Sequence, residues 1–557
     1  GYNENVTRTV EELDAEIKSK YTGGPVQDDI KLTLLQRDLI NRVGQYNLRN
    51  FIDANEKNKE TLEWFLNNEE ALRLWTVGGR PLGSYMRALE VLSTVYQAHK
   101  ADLTDETAAL GGTAGIKCKD VYLKMMLSLS LSHSSGIGLW IGGNQYSNAL
   151  KRYEIYKSMY QNNLLENRAI FEQLTVEEMR WLMHVNIDDE EILWLNDYSK
   201  KWSSANDRFN PYKYMKYTFG YSYYRPQYYS QANYAKWDAK YNLSKYGVPY
   251  RSGKPKLWIV FEEGAVCGGL SKTAANLWGV WGWPTSTVGQ PGHCAYIYMY
   301  HAGGGKMAWQ LANSVVTTGW ANTSPLGYMP NGWGSGGYYA TNGGSIKSAS
   351  YFFLAQEAQN EYEKYEQAEL ILLLANVYNT DWDMLDQIYH DALDQEIINL
   401  DAWLGVINMA IDSRSGMTQA ELMSLAEEVA DVMTWNPLPM YDLTRRIGTK
   451  ITAPEYKAQL LMLQNETLNK AKSATFSNTV QYKEVPVVAQ AILGEVDSRI
   501  ATFSFDGANA GKIVLSKQLQ STQVTWSYSL DGGNTWKDCY TPTVQLTQEE
   551  INSIDTR

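Results

Sequence analysis

The chain has 557 residues, of which 44% are hydrophobic and 20% charged, and its net charge is −12. We expect three or four domains, because a single hydrophobic core stops growing beyond about 250–300 residues. The negative charge argues against nucleic acid and anionic membrane surfaces as partners. No run approaches the ~20 apolar residues that a membrane-spanning helix needs.

The cysteine and aromatic content of the chain indicates what class of protein it belongs to. Cys118, Cys267, Cys294 and Cys539 are too few and too scattered for a disulfide framework. The chain has 39 tyrosines and 19 tryptophans but only 11 phenylalanines. Aromatic residues with a polar edge are common where proteins contact glycans, and they equally serve cores and interfaces. Both roles stay open.

The first part of the chain, residues 1–205, is predicted to be an α-helical domain. Leu32, Leu35, Leu39 and Val43 form an apolar stripe at helical spacing. Thr175 and Glu178 have the spacing of a capping box, which marks a helix N-terminus. The histidines of this region lack the paired spacing of metal ligands, so we expect them to be structural: His99, His133 and His184.

A tyrosine-rich stretch follows, between Trp202 and Tyr250. Its Gly, Pro, Ser and Asn residues predict a long irregular wall or lid rather than a helix. Tyr224 is a candidate substrate-binding residue within it. A packing layer between the helical domain and the next domain is an equally good interpretation. Residues 256–261, Lys-Leu-Trp-Ile-Val-Phe, are then predicted to form a strand.

Cys267 is the main candidate for a reactive residue. It follows the sequence Gly264-Ala-Val, and apolar residues at Leu270, Ala274, Leu277 and Trp281 predict a helix that begins at the cysteine. A helix N-terminus favours thiolate over thiol, and its free N–H groups can stabilise an oxyanion. These features are typical of a nucleophilic cysteine.

A hairpin is predicted downstream, with strands over residues 294–300 and 307–311 joined by the turn Ala302-Gly-Gly-Gly305. Centring it on Gly303 pairs His293 with Asn313 on one face, with Cβ atoms about 5 Å apart. Strand alternation places Cys294 on the other face. The register therefore predicts a Cys267–His293–Asn313 constellation.

These motifs resemble the transglutaminase-like superfamily. The resemblance covers roughly residues 205–320: Gly-x-x-Cys opening a helix, Gly-x-Pro, Gly-His on a strand, then Trp and an amide on the next strand. It implies a papain-like α+β core with Cys267 as nucleophile, His293 as base and Asn313 where the family usually has Asp. No Asp occurs between Asp238 and Asp381, and Asn orients the histidine in papain-like enzymes.

Two alternatives accompany this interpretation. A cysteine before a helix is often a small buried hydrophobe, so the core can be an inactive relic of the fold. Cys267, His293, Cys294 and His301 contain zinc-ligand residue types, but no C-x-x-C or H-x-x-x-H spacing occurs among them. We therefore expect no metal and no cofactor.

The remainder is predicted to form two domains, over residues 351–478 and 479–557. The first has helical periodicity. The second is predicted to be an all-β, sandwich-like domain with strands over 481–488, 500–505 and 524–530. Residues 529–536, Ser-Leu-Asp-Gly-Gly-Asn-Thr-Trp, resemble an Asp-box hairpin, which recurs in secreted glycan-active proteins. We therefore expect a secreted or cell-surface protein.

Together these patterns predict a multidomain α+β protein whose transglutaminase-like core, residues 206–350, lies between helical domains. The expected activity is attack on an amide bond through a thioacyl intermediate, as a hydrolase or acyl transferase. The expected partners are an extracellular or cell-wall protein, peptide or glycopeptide, with a glycan contact. Trp283, Gln290 and Trp309 join Tyr224 as candidate substrate-binding residues. The alternative function is non-catalytic glycan or surface binding on the relic fold.

Overall fold

The computed structural model describes residues 8–112, 115–136, 147–201, 215–218, 231–248, 257–290, 293–301, 307–312, 329–330, 354, 357–475, 480–497, 514–516, 526–541 and 543–554. Within these ranges the chain is mostly helical with a few short strands, which agrees with the predicted multidomain α+β class. None of the helices in these ranges is both long enough and apolar enough to cross a bilayer.

Contacts between residues divide the chain into two compact units. Among the described residues, the first unit ends at Ala402 and the second begins at Trp403, inside a helix that runs from Leu400 to Ile411. The division lies within the predicted helical domain 351–478. The predicted domain limits at 205, 350 and 478 stay predictions.

The first unit begins with a long series of helices, as the sequence predicts for residues 1–205. In chain order they are α1 Val10–Lys20, α2 Asp28–Val43, α3 Gln45–Ala54, α4 Glu56–Leu66, α5 Glu69–Val77, α6 Tyr85–His99, α7 Cys118–Ser132, α8 Ala149–Gln161, α9 Arg168–Gln173, α10 Val176–Met183 and α11 Asp189–Ser199. The predicted capping box is present, because Thr175 Oγ1 accepts from Glu178 N–H and Glu178 Oε1 accepts from Thr175 N–H.

Arg152 of α8 organises the turn between α10 and α11. Its guanidinium is fully buried and donates to the carbonyl oxygens of Met183, Val185 and Ile187, at 3.0, 2.5 and 2.7 Å. Its Nε also donates to Asp189 Oδ1 at 2.6 Å. Four bonds satisfy the buried charge and fix the backbone of this turn.

Three helices connect this bundle to the sheet: α12 Gln231–Tyr241, α13 Trp258–Glu263 and α14 Cys267–Val280. The predicted helix at Cys267 is confirmed. The predicted strand over 256–261 is wrong, because residues 258–263 are helical. A short apolar run fits a buried strand and a buried helix equally well, and only its partners decide between them.

Those partners are aromatic. Trp258 of α13 packs against Trp237 and Tyr241 of α12, with ring centroids 5.1 and 5.3 Å apart. Trp237 and Tyr241 are one helical turn apart, so they form one face of α12. The tyrosine-rich stretch is therefore helical over 231–241 and supplies packing there, which corrects the prediction of a wholly irregular wall.

A four-stranded sheet follows, with β1 Thr285–Gln290, β2 His293–His301, β3 Met307–Ala312 and β4 Met329–Pro330 in the order β3-β2-β1-β4. Its paired strands are antiparallel. The helices α15 Tyr362–Val377 and α16 Trp382–Gln395 and the start of α17 Leu400–Ile411 complete the first unit.

The described part of the second unit contains the rest of α17 and the helices α18 Gln419–Val432, α19 Pro437–Gly448, α20 Pro454–Lys472 and α21 Val480–Asp497. The predicted strand over 481–488 is wrong, because it forms the first half of α21. Burial of one apolar face stabilises this helix more than its β-branched residues and Pro486 disfavour it. The buried residues of that face have helical spacing: Val485, Val488, Ala489, Ile492, Leu493 and Val496.

The C-terminal elements are β5 Val514–Ser516, β6 Trp526–Tyr528, β7 Lys537–Cys539, β8 Thr543–Gln545 and α22 Gln548–Ser553. The described strands form two two-stranded sheets, β5–β8 and β6–β7. The predicted Asp-box hairpin is confirmed between β6 and β7. Asp531 accepts from Thr535 N–H at 2.8 Å and from its hydroxyl at 2.6 Å, and Gly532 and Gly533 have φ of 72° and 96°.

Candidate functional site around Cys267

Cys267 is the first residue of α14, and the turn before it is fixed by a neighbouring segment. Ala265 N–H donates to Lys216 O at 3.0 Å, and Thr218 N–H donates to Ala265 O at 3.1 Å. Gly264 has φ of 84°, and a Cβ there would lie 2.1 Å from Lys216 O. Only glycine fits this position, so the Gly-x-x-Cys pattern has a steric cause.

The start of α14 is accessible. Cys267 and Cys294 are half-buried, whereas Cys118 and Cys539 are buried. A Cβ built on Gly268 would meet no atom of the described residues within 4 Å. No side chain caps the helix, because the residue before Cys267 is Val266. The thiol thus combines a helix N-terminus with access to a reagent.

Two contacts align α14 with β2. Ser271 Oγ donates to Cys294 O at 2.7 Å, one helical turn after Cys267. Two turns further on, the ring of Trp278 stacks on that of Tyr298, with centroids 4.1 Å apart and an interplanar angle of 8°. The helix and the strand therefore run in the same direction, and Cys267 and His293 begin them at the same end of the sheet.

The sheet has a definite face toward α14. Tyr298 is the register partner of Thr285, and a Cβ on Gly279 would lie 3.4 Å from Thr285 Cγ2. The helix therefore covers the face that carries Thr285 and Tyr298. Positions along a strand alternate between faces, so Cys294 belongs to the set facing α14 and position 293 to the other set.

The β2–β3 hairpin differs in register from the prediction. Tyr296 pairs with Ala312 and His301 with Met307, so the hairpin is centred on residue 304 rather than on Gly303. The predicted centre of the hairpin is therefore wrong by one residue, and the predicted pairing of His293 with Asn313 depended on that centre. The sequence alone does not determine which residue is at the centre of the turn, because each glycine of the run can adopt a turn conformation. Asn313 itself lies outside the described residues.

Of the candidate substrate-binding residues, Trp283 lies away from Cys267. Trp283 is 7% exposed and packs edge-on against Trp278, with centroids 6.0 Å apart, at the opposite end of α14. A helix of this length places the two ends about 20 Å apart. Gln290 pairs with His293 and Trp309 with Met299 in the sheet. Tyr224 lies outside the described residues.

Tyr217 is a neighbour of the site that sequence reasoning did not single out. It forms an isolated parallel bridge with Ala265, two residues before the cysteine, and its side chain is 54% exposed. Its position among many tyrosines gave no signal in the sequence, because its pairing with Ala265 depends on the fold. Ser271 was also missed, because a helical serine has no sequence mark of a contact to a distant strand.

Metal binding finds no support in the ranges that the structure describes, where no three His, Cys, Asp or Glu residues are grouped to hold an ion. Comparison of the chain with family models, with curated proteins and with solved structures gives no match in any of the three. The resemblance to the transglutaminase-like superfamily therefore rests on the residues alone.

Proposed function

We propose that the chain is a cysteine-dependent enzyme that cleaves or transfers acyl groups from amide bonds, with Cys267 as the nucleophile. The observation that carries this proposal is the position of Cys267, half-exposed at the first residue of α14 and without a side-chain cap. A transglutaminase-like α+β core over 206–350 and a sandwich-like domain within 479–557 belong to the same proposal.

The proposed reaction begins when the Cys267 thiolate attacks the carbonyl carbon of an amide. N–H groups of the first turn of α14 stabilise the oxyanion, and the C–N bond then breaks to give a thioacyl enzyme. His293 takes the thiol proton and delivers it to the leaving amine, and Asn313 orients the imidazole. Water or a second amine then releases the acyl group.

The proposed substrate is an extracellular or cell-wall protein, peptide or glycopeptide. The hairpin with the Asp-box sequence supports this class, because that motif recurs in secreted glycan-active proteins. The many tyrosines and tryptophans support it too, because aromatic residues with a polar edge are common where proteins contact glycans. Tyr217 supports an aromatic contact beside the nucleophile.

The test compares variants of the full chain in two assays: transfer of a fluorescent primary amine to a glutamine-rich protein, and hydrolysis of a peptide library. We expect Cys267→Ala to lower either activity by roughly a thousandfold or more, and His293→Ala by a similar factor. Cys294→Ala is the matched control and should retain activity. Full activity in Cys267→Ala would refute the proposal.

The second candidate is a non-catalytic glycan- or surface-binding protein on a relic of this fold. Strand alternation favours it, because position 293 belongs to the set of β2 positions away from α14. Iodoacetamide separates the candidates. A catalytic thiol should react well above the rate of a free cysteine at neutral pH and slow in His293→Ala. A relic should react no faster than free cysteine in either protein.

A further inference from the structure

Two of the four cysteines lie at the contact between α14 and β2. Cys267 is the first residue of α14, Cys294 is the second residue of β2, and both are half-buried. Cys118 and Cys539 are buried, and their thiols donate to carbonyl oxygens of residues near them in sequence. Cys267 and Cys294 are therefore the two cysteines that a small reagent can reach in the folded chain.

Cys267 is on the face of α14 that packs against β2. Successive residues of a helix are about 100° apart around its axis, so Ser271 and Trp278 lie within about 40° of Cys267. Ser271 Oγ donates to Cys294 O at 2.7 Å. The ring of Trp278 stacks on that of Tyr298. The face that carries Cys267 is thus the face that contacts the strand.

The side chain of Cys294 is on the side of β2 toward that face. Cys294 and Tyr298 are four residues apart on one strand, so both belong to the side that meets α14. Cys267 and Ser271 are one helical turn apart, with Cα atoms about 6 Å from each other. The bond from Ser271 to Cys294 O therefore brings the two cysteines to the same end of one helix–strand contact.

The first turn of α14 is the part of this contact that can rearrange. Gly268 and Gly269 follow Cys267, and glycine disfavours a helix relative to alanine. A Cβ built on Gly268 would meet no atom of the described residues within 4 Å, and no side chain caps the helix. A disulfide needs Cα atoms within about 7 Å of each other. A shift of this one turn brings Cys267 to that distance from Cys294.

We propose that Cys294 is the resolving thiol for Cys267, so that a peroxide converts the two residues into a reversible disulfide and switches the site off. The proposal rests on the proposed role of Cys267 as a reactive thiolate. The disulfide would occupy the sulfur that attacks the substrate, and a thiol reductant would release it.

The oxidation has two steps. The Cys267 thiolate attacks one oxygen of the peroxide, so that an S–O bond forms, the O–O bond breaks and hydroxide leaves. Sulfur is oxidised to a sulfenic acid, and the peroxide oxygen is reduced. The Cys294 thiol then attacks the sulfenic sulfur. The S–S bond forms, the S–O bond breaks, and the hydroxyl group leaves as water with the proton of the Cys294 thiol.

The experiment treats the full chain with a small excess of hydrogen peroxide and measures iodoacetamide labelling of Cys267 before and after dithiothreitol. In the parent we expect labelling to fall by roughly tenfold or more and to recover fully with dithiothreitol. Mass spectrometry without reduction should show a peptide pair joined through Cys267 and Cys294.

Cys294→Ala should lose labelling in the same way but should not recover it, because a sulfenic acid without a resolving thiol is oxidised further to a sulfinic acid that thiols do not reduce. Dimedone should trap the sulfenic acid of Cys267 in this variant. Cys294→Ser is a second variant in case Cys294→Ala does not fold. Cys539→Ala, which removes a buried cysteine, is the matched control and should follow the parent.

Absence of the linked peptide pair in the parent would overturn the proposal. Full recovery in Cys294→Ala, or a disulfide between two copies of the chain, would also overturn it. These readouts do not depend on turnover. An enzyme that needs Cys267 but forms no disulfide would refute the resolving role alone, whereas a disulfide in a chain whose Cys267→Ala variant stays fully active would refute the proposed function alone.

Discussion

The hydroxyl of Ser271 donates a hydrogen bond of 2.7 Å to the carbonyl oxygen of Cys294, and this bond joins the cysteine helix α14 to the strand β2. Both residues are close in sequence to the candidate site. Ser271 follows Cys267 by one helical turn, and Cys294 directly follows His293. We expect Ser271→Ala to remove this hydrogen bond and to lower the free energy of unfolding by about 0.5–1.5 kcal/mol. Amide exchange at the start of β2 should rise with it.

Thr273→Val is the matched control for this contact. Thr273 Oγ1 donates to Gly269 O within the same helix, so its removal breaks a local bond and none to the sheet. Exchange in β2 should stay at the parent level in this variant. Equal effects of the two substitutions would contradict a specific role for Ser271.

The two glycines that flank Cys267 should respond oppositely to alanine. Gly264→Ala places a Cβ against Lys216 O and forces a positive φ, so we expect a loss of about 1–3 kcal/mol or failure to fold. Gly268→Ala meets open space within a helix and should be neutral or stabilising by up to about 1 kcal/mol. Thermal unfolding of both variants measures the difference, and similar losses would show that the turn before Cys267 is not built as described.

The four cysteines should fall into two classes of reactivity. Iodoacetamide, followed by peptide mass spectrometry, should modify the half-buried Cys267 and Cys294 in the folded protein. Cys118 and Cys539 are buried and should be modified only in denaturant. The thiol of Cys118 donates to Ala108 O, so modification of Cys118 in the folded protein would contradict its buried position.

Acid should weaken the first unit through His133. Burial, and to a smaller extent the charge of Arg152, lowers the pKa of this imidazole to about 3. The unfolded state, with an ordinary histidine pKa near 6.5, then binds more protons between about pH 6.5 and 3. Stability should therefore fall with decreasing pH across that window, by about 1.4 kcal/mol per pH unit for one proton.

His133→Phe removes this proton and should make the acid profile shallower by up to that slope. Urea unfolding at half-unit intervals from pH 7 to pH 4 measures both proteins. Since burial is the first cause of the lowered pKa, an unchanged slope in His133→Phe would mean that the ring is protonated at neutral pH or exposed.

The start of α14 could be predicted from residues near it in sequence. The two helices that were predicted as strands depend on contacts with residues distant in the chain. Gly264 and the apolar spacing after Cys267 indicate a helix start within the local sequence. The residues around Trp258 and Val485 contain no such mark, because their apolar runs fit strand and helix alike. Packing against Trp237 and Tyr241 in one case, and a buried helical stripe in the other, selected the helix.

The hairpin shows a similar limit at the candidate site. The sequence predicted both strands and the glycine turn between them, but a shift of the turn centre by one residue moves every pair by two. The His293–Asn313 pairing depended on that centre. Nearby residues also could not predict which face of the sheet α14 covers. That face is determined by the contact between Trp278 and Tyr298, which are 20 residues apart in the chain.

Arg152 has a consequence for any screen of random substitutions in this chain. Its side chain holds the carbonyls of the turn against which Gly279 of α14 packs, through Val185. The single ammonium group of lysine cannot reach the three carbonyl oxygens and the carboxylate that the guanidinium of Arg152 binds at once. We therefore expect even Arg152→Lys to appear inactive in such a screen. Selection on activity alone would rank Arg152 with Cys267, and only a parallel measure of protein abundance would separate the scaffold residue from the nucleophile.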